Sequence, residues 1–543
     1  MAHWHSEAER ITPPGSLTPT VELSELQIDN EKADVSDTTE DIIVDFDGPD
    51  DPLNPKKLVC HSFFVLCYPF WSRRKKWAAT MVVSCFTFIS PVSSSMVAPA
   101  SAQVAEGFGI HSDVIVGLVT SIFVLAFAIG PLFLGPLSEI FGRNRIIQGA
   151  NLWFLIWNIG CGFAQNTGQL LAFRFLAGLG GSAPLAVGGG VLGDIWDTEE
   201  RGQAIAIYSL APLLGPVIGP LCGAWIAERS TWRWVFWSTS IVDVAIQMLG
   251  LLYLRESYAP FLLEQKAKQT QKSLDAEMGP IRNVRSVFAT ADRTWARIMK
   301  TAIIRPFVLF INEPILQALG IYMAFQYGLF YLFLTSMPLM FQGVYGETVG
   351  ISGLNYIALG IGFTGASQVN ARMMDGIYKR LKEKNGGEGR PEYRLPAMFP
   401  GVFALPIGLF IVGWTVQAKV HWIVPDIVRE FLLSSRFIGQ TSVQGIVLVG
   451  VGMILTYQCI QLYLIDVFTL YAASALASVG CLRSILGFVF PLFAEQLYKT
   501  LGYGKGDTLL AVFAIAFGCP SPFLLWNYGP QLRKRSKFAE HST

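Results

Sequence analysis

Apolar and polar positions fall in long blocks along this chain. Runs of about 20 apolar residues, the length a helix needs to cross a hydrocarbon core, occupy 77–99, 114–137, 146–164, 170–193, 202–226 and 234–254. Six more occupy 311–337, 350–370, 395–417, 445–465, 471–493 and 506–528. A hydrophilic stretch at 255–305 separates the two sets. The pattern predicts an all-α membrane protein of twelve transmembrane helices in two six-helix pseudo-repeats. The halves are 77–254 and 311–528, joined by a central loop at 255–310 and flanked by tails at 1–76 and 529–543. A shorter run at 58–71 cannot span and reads as an interfacial or packed segment.

Composition agrees. Of 543 residues, 52% are hydrophobic and only 15% charged, against about 25% charged in average soluble proteins. The formal net charge of +1 gives no reason to expect a nucleic-acid partner. Residues 1–51 are polar and acidic, with the composition of a disordered tail. No apolar core follows Met1, so no secretory signal is expected. The eight cysteines are scattered without a CxxC pair and read as small core residues rather than disulfide or metal ligands.

Lys and Arg mark the inner side. With the N-terminus inside, the cytosolic segments hold Arg73 to Lys76, Arg143, Arg145, Arg201, the central loop, Lys379 to Arg394 and Arg533 to Lys537. The loops 100–113 and 165–169 carry no Lys or Arg. Both termini are therefore expected in the cytosol.

Four groups of residues carry candidate mechanism. Between the second and third runs lies GPLSEIFGRNR, in which Gly135 and Gly142 let the chain turn. Glu139, Arg143 and Arg145 put charges at the boundary there, and Asp194 at the inner end of the fourth run is within reach of Arg143. These can form a switchable ionic latch; an ordinary positive-inside loop is the alternative. Arg174 lies within the fourth run, where a charge faces a cavity or partner, or else snorkels to the interface. Gly215, Gly219 and Gly223 recur every four residues in the fifth run, interleaved with Pro216 and Pro220, a spacing that lets helices approach closely. In the seventh run Tyr322 and Gln326 share one face, and Tyr327 and Tyr331 the next. In the tenth, Tyr457 and Gln461 share a face, with Gln458 beside them. Polar groups at this depth line a cavity or bond another helix.

Other ionisable residues within the runs are few. Asp243 lies near the middle of the sixth, Arg483 in the eleventh, and Glu313 and Asp466 at inner ends. A carboxyl group shielded from water can carry a proton, which makes Asp243 a candidate proton-titrating group; structural neutralisation is the alternative. No histidine lies in any of the twelve spanning runs.

The loop GPLSEIFGRNR resembles that between helices two and three of the major facilitator superfamily, with Glu139 where the family usually has Asp. LLAFRFLAGLGG resembles the family's fourth-helix signature, which implies a role for Arg174 in proton coupling. APLLGPVIGPLCGAWI resembles the fifth-helix signature of drug/H+ antiporters, with Gly219-Pro220 in place of Gly-Gly. It implies a tight seam between the halves that limits proton leak. With LYLRESYAP, DPLNP, RKKW and YAASALAS, the chain is similar over roughly 50–530 to the fungal branch of twelve-span drug/H+ antiporters. The resemblance implies the major facilitator fold and proton-coupled export of drugs, toxins or secondary metabolites by alternating access. The latch would hold one conformation. The expected partners are a small-molecule substrate, protons and the lipid bilayer, for a monomer at the plasma membrane with no cofactor or metal.

A polyamine exporter, a nutrient/H+ uptake symporter of the same fold and a non-transporting receptor are the alternatives. An enzyme is not expected: there is no GxxxxGK[ST] phosphate loop, and GYGKG at 502–506 lacks its spacing. Two stretches, Lys57 to Phe70 and Asp426 to Gln444, interrupt the family pattern, and excising either restores it. They read as translated intron sequence, with genuine insertions as the alternative; a mature transcript encoding both would contradict the first reading.

Overall fold

The computed structural model describes residues 42–46, 72–197, 200–278, 284–288, 295–418, 441–536 and 538. The first span, Arg73–Ser95, starts at Ser72, whose hydroxyl accepts from Lys75 N. It runs on through a 3₁₀ turn at Ala98–Ala100 into Ser101–Phe108. The second and third spans are Asp113–Phe141 and Arg143–Gly162. The fourth comes in two pieces, Thr167–Gly181 and Ala183–Ile195, with Pro184 in the first turn of the second. The fifth and sixth are Arg201–Arg229 and Arg233–Tyr253. In the other half the seventh is Pro314–Pro338, and the eighth joins Val349–Leu354 to Tyr356–Lys384. The ninth is Phe399–Gln417 and the tenth Thr441–Val467.

Among the described residues, ten helical stretches are long and apolar enough to cross a membrane. Two features reconcile ten with twelve. The third span is less apolar than the rest because Gln148, Asn151 and Asn158 interrupt it. The last stretch, Ala472–Lys534, is 63 residues long, too long for one crossing at 1.5 Å per residue. Gly502 (φ 75°, ψ 168°) breaks it. The eleventh span precedes that glycine; the twelfth follows it and ends in Pro520–Arg535.

Each half has its own core. Phe86, Phe123, Phe154 and Trp196 fill the first. The second is built on Leu319, Tyr322, Leu329 and Phe333, and it takes in Ala98, Val124 and Val217 from the first half. The halves therefore share apolar contacts along their boundary. They also meet at the end opposite the termini. Lys499 Nζ pairs with Asp113 at 2.7 Å, and the Glu228 carboxylate accepts from Gly350 N at 2.5 Å and the Thr348 hydroxyl at 3.5 Å. A Cβ at Gly117 would lie 2.8 Å from the Pro491 carbonyl oxygen, so the second and eleventh spans touch backbone to backbone.

The described parts of the hydrophilic regions form secondary structure. Ile42–Val44, an apolar patch in the acidic tail, forms a strand parallel to Val284–Ser286 of the central loop. The central loop also contains helices Ala259–Met278 and Trp295–Asn312. The first buries Leu263 and Ala267, one turn apart. The stretch 57–70 and residues 426–440 of the second family-breaking stretch lie outside the described residues, and 441–444 begin the tenth span.

Candidate functional site

The turn between the second and third spans is built around a carboxylate that the sequence reading does not single out. Glu256, just past the sixth span, accepts through Oε1 from Arg143 N at 2.9 Å and through Oε2 from Asn144 N at 3.2 Å. Its Oε1 also accepts from Ser257 N and Tyr258 N, each at 3.1 Å. An anion at a helix N-terminus satisfies orphan donors and complements the helix dipole. Gly142 makes room for it: its φ is 93°, and a Cβ there would collide with the Glu256 carboxylate.

Arg143 is thereby aimed at Asp194. Its Nε lies 2.5 Å from Asp194 Oδ2, with the two side chains 17% and 20% exposed. Ser257 Oγ donates to the same carboxylate at 3.4 Å, and the guanidinium lies over the Tyr258 ring at 5.0 Å. A Cβ at Gly190 would strike the guanidinium, so that glycine is part of the pocket. Glu139, expected in the latch, is exposed and forms no ion pair among the described residues: its helical position turns it outward while Glu256 fills the place. Arg145 is exposed too and lies over Phe261 at 5.2 Å. A side chain at Gly135 would meet open space. The second half repeats the geometry: Arg394, before the ninth span, pairs with Asp466 at the same end of the tenth. Arg533 grips Glu392 at 2.9 and 3.0 Å.

Arg174 does not snorkel. It is 1% exposed and donates to the carbonyls of Ser93, Ser94 and Thr120 at 3.4, 3.1 and 3.3 Å. Its guanidinium lies over Phe123 and Phe236 at 5.2 and 5.7 Å. The first span tightens at Ala98–Ala100, and carbonyls at a helix end are free to accept. Asp243 is wholly buried. Asn151 Nδ2 donates to its two oxygens at 3.1 and 3.2 Å and to Gln247 Oε1 at 2.8 Å. Gln247 in turn donates to Gln148 at 2.8 Å. This network ties the third span to the sixth through amides and the Asp243 carboxyl group.

The glycine stripe of the fifth span faces the first span, within one half. Cβ atoms at Gly215 and Gly219 would lie 2.7 Å from Pro91 Cβ and from the Val92 carbonyl, and one at Gly223 would meet Met96. Pro216 and Pro220 are buried beside them. The expectation of a stripe between the halves is corrected accordingly. The contact between halves comes from the helix's other face, where Val217 and Ala224 fit against Gly360 and Gly353 of the eighth span.

The polar-aromatic residues of the second half divide three ways. Gln326 donates to Thr456 at 2.5 Å, beside buried Tyr322. Gln458 bridges to Ser367 and Asn370 at 2.7 and 2.9 Å, joining the tenth span to the eighth; Gln461 is half-buried nearby. Tyr327, Tyr331 and Tyr457 converge on Arg483. Arg483 donates to the Tyr457 hydroxyl at 2.5 Å and lies over the rings of Tyr327 and Tyr457 at 5.1 and 5.5 Å. Tyr331 meets Ser94 of the first span at 3.2 Å, so the cluster crosses between halves. Asp507, which sequence reasoning passed over at the start of the twelfth span, is wholly buried. It accepts from Tyr498 at 2.7 Å, while its second oxygen has no partner among the described residues.

Comparison with known proteins agrees with this architecture. The family model described as Major Facilitator Superfamily matches residues 83–525. The chain is 42% identical over 534 residues to the efflux pump vrtL of Penicillium aethiopicum, covering 98% of this chain and 97% of that one. It is 40% identical over 499 residues to the efflux pump radE of Floropilus chiversii, covering 91% and 86%. The fold is similar to that of the xylose transporter XylE of E. coli in a partially occluded inward-open conformation, with a TM-score of 0.58 and 14% identity over 84% of this chain and 99% of that one. The chain is a member of the major facilitator superfamily.

Proposed function

We propose that this protein exports small organic molecules from the cytosol, driven by the proton gradient, by rocking its two six-helix halves about a central site. The observation that carries the reading is the relationship to proteins named efflux pumps, at 42% and 40% identity over nearly the whole chain. The ion-pair pattern supports alternating access. The contacts of Asp113 with Lys499 and of Glu228 with Gly350 join the halves at the end opposite the termini, whereas Arg143–Asp194 and Arg394–Asp466 each close within one half. The termini lie on the cytosolic face of the plasma membrane, following the distribution of Lys and Arg.

In this mechanism the halves separate at one face as they join at the other. The Arg143–Asp194 pair, seated by Glu256, holds the inner ends of the second, third, fourth and sixth spans as one rigid unit. Asp243, buried in an amide network with no cation paired to it among the described residues, holds and releases the proton. Arg174 ties the fourth span to the first and second through their carbonyls and passes the change towards Tyr331. Aromatic rings and amides at the centre grip the cargo, and no cofactor takes part. The test is export from cells expressing the protein, with and without a protonophore. Export that stops when the gradient collapses supports the reading; export that continues contradicts it.

A further inference from the structure

Arg483 is the one part of the central cluster to which the proposed function gives no task. It lies in the eleventh span, enclosed by protein, yet part of its surface is accessible, as is part of Tyr327 and Tyr457. The cluster therefore borders an open space rather than a filled core. The ionisable groups that face Arg483 are the hydroxyls of Tyr457, Tyr327 and Tyr331. Among the described residues no carboxylate pairs with it. Arg174, the next charge towards the first half, is likewise held by carbonyls and rings and faces Cys161 and Tyr331. Asp243 has both its oxygens on Asn151.

A cation buried without a counter-ion is costly unless something supplies the missing charge. Here two aromatic faces and one hydroxyl hold the guanidinium in a fixed plane. Its Nε is buried and has no hydrogen-bond partner among the described residues. A guanidinium presents five donors in a planar fork that matches a carboxylate, and the flanking tyrosine rings suit a flat aromatic body. A cationic cargo would be repelled by the same group. Resting on the export reading above, we infer that the central site binds aromatic organic anions, with Arg483 on the cargo's carboxylate or phenolate and Tyr327 and Tyr457 against its rings. Tyr331 and Ser94 close the site from the first half's side. This excludes polyamines as the principal cargo.

Two dyes on the same ring frame provide the test: carboxyfluorescein, an anion, and tetramethylrhodamine methyl ester, a cation. Binding is measured on the purified full-length protein by fluorescence anisotropy. Wild-type protein binds carboxyfluorescein at least tenfold more tightly than the rhodamine. Arg483→Gln loses tenfold or more in affinity for carboxyfluorescein with an unchanged thermal unfolding midpoint, and Arg483→Lys, which keeps the charge without the fork, falls between. Equal or tighter binding of the rhodamine, or an unaffected Arg483→Gln, overturns the inference. If Arg483→Gln fails to fold, the wild-type ratio of the two dyes decides alone. Anion binding without gradient-driven movement in vesicles would overturn the export reading and leave this site standing. Export of the rhodamine and not of carboxyfluorescein would do the reverse.

Discussion

Glu256 and Arg143 are 113 residues apart in sequence, and the Glu256 carboxylate accepts the Arg143 backbone N–H at 2.9 Å. That contact fixes the start of the third span and aims the Arg143 side chain at Asp194. Removing one partner of a fully buried ion pair costs about 3–5 kcal/mol, while exposed pairs contribute about 0–1 kcal/mol. At 17% and 20% exposure, the Arg143–Asp194 pair lies between these limits, enough to bias a conformational equilibrium. Arg143→Ala is expected to reduce export at least tenfold with normal insertion in the membrane, measured as export per copy at the cell surface. Normal export would remove the latch role.

Glu256→Gln keeps the shape of the acceptor but removes its charge from the helix N-terminus. The expected result is an intermediate loss of export, with Glu256→Ala as damaging as Arg143→Ala. Glu139→Ala, on the exposed side of the same turn, is expected to leave export within twofold of wild type. If Glu139→Ala were the more damaging, the assignment of Glu256 would be wrong.

These two glutamates show how much was legible in the sequence. The spans were, because 20 apolar residues have few other uses. The pairing of Arg143 with Asp194 was, because both sit at the same end of neighbouring spans. Glu139 drew attention because it lies inside the turn, but position within a turn does not give the direction of a side chain. Glu256 reaches the same place from the exit of the sixth span, and no local pattern announces that. The glycine stripe was legible as a close helix contact, yet its partner, the first span, was not, since spacing does not name the facing helix. Each tyrosine of the central cluster was assigned a face, but their convergence on Arg483 needs the seventh, tenth and eleventh spans together. Asp507 was passed over because it sits among glycines at the start of a span, where a carboxylate reads as a boundary residue.

Gly219 allows the first and fifth spans to touch, with a Cβ there only 2.7 Å from the Val92 carbonyl. Overpacking of this kind costs about 1–3 kcal/mol. Gly219→Val is expected to lower the thermal unfolding midpoint and reduce export, because the first and fifth spans can no longer move as one body. An unchanged midpoint would show that the contact is not needed for stability.

The seal at the end opposite the termini combines an ion pair with a backbone contact. Lys499 is 57% exposed and Asp113 29%, so solvent screens the pair and it is a weak part of the seal. Asp113→Ala is therefore expected to leave export close to the wild-type level. Gly117→Leu drives a side chain into the Pro491 carbonyl and is expected to abolish export by holding that face open. Accessibility of an engineered cysteine near Gly117 to an impermeant thiol reagent, raised in Gly117→Leu and not in Asp113→Ala, would check both.

Asp243→Asn places a neutral amide where the proposed proton carrier stands, keeping the size and one acceptor oxygen for Asn151. Protein that folds, binds cargo and exchanges it down its own gradient, yet no longer concentrates it against one, is the expected outcome. Gradient-driven accumulation at the wild-type level would assign the proton to another group, and Asp507, with one oxygen unpartnered among the described residues, would be the next to test.

The central claim is that proton movement drives cargo movement through this chain. Purified protein in sealed vesicles, given a pH gradient in the absence of ATP, tests it most directly, with dye and proton flux recorded together. The account predicts that dye moves against its own gradient as protons move the opposite way, and that both fluxes stop in Asp243→Asn. Dye movement with no accompanying proton flux, or dye and protons travelling in the same direction, would contradict it.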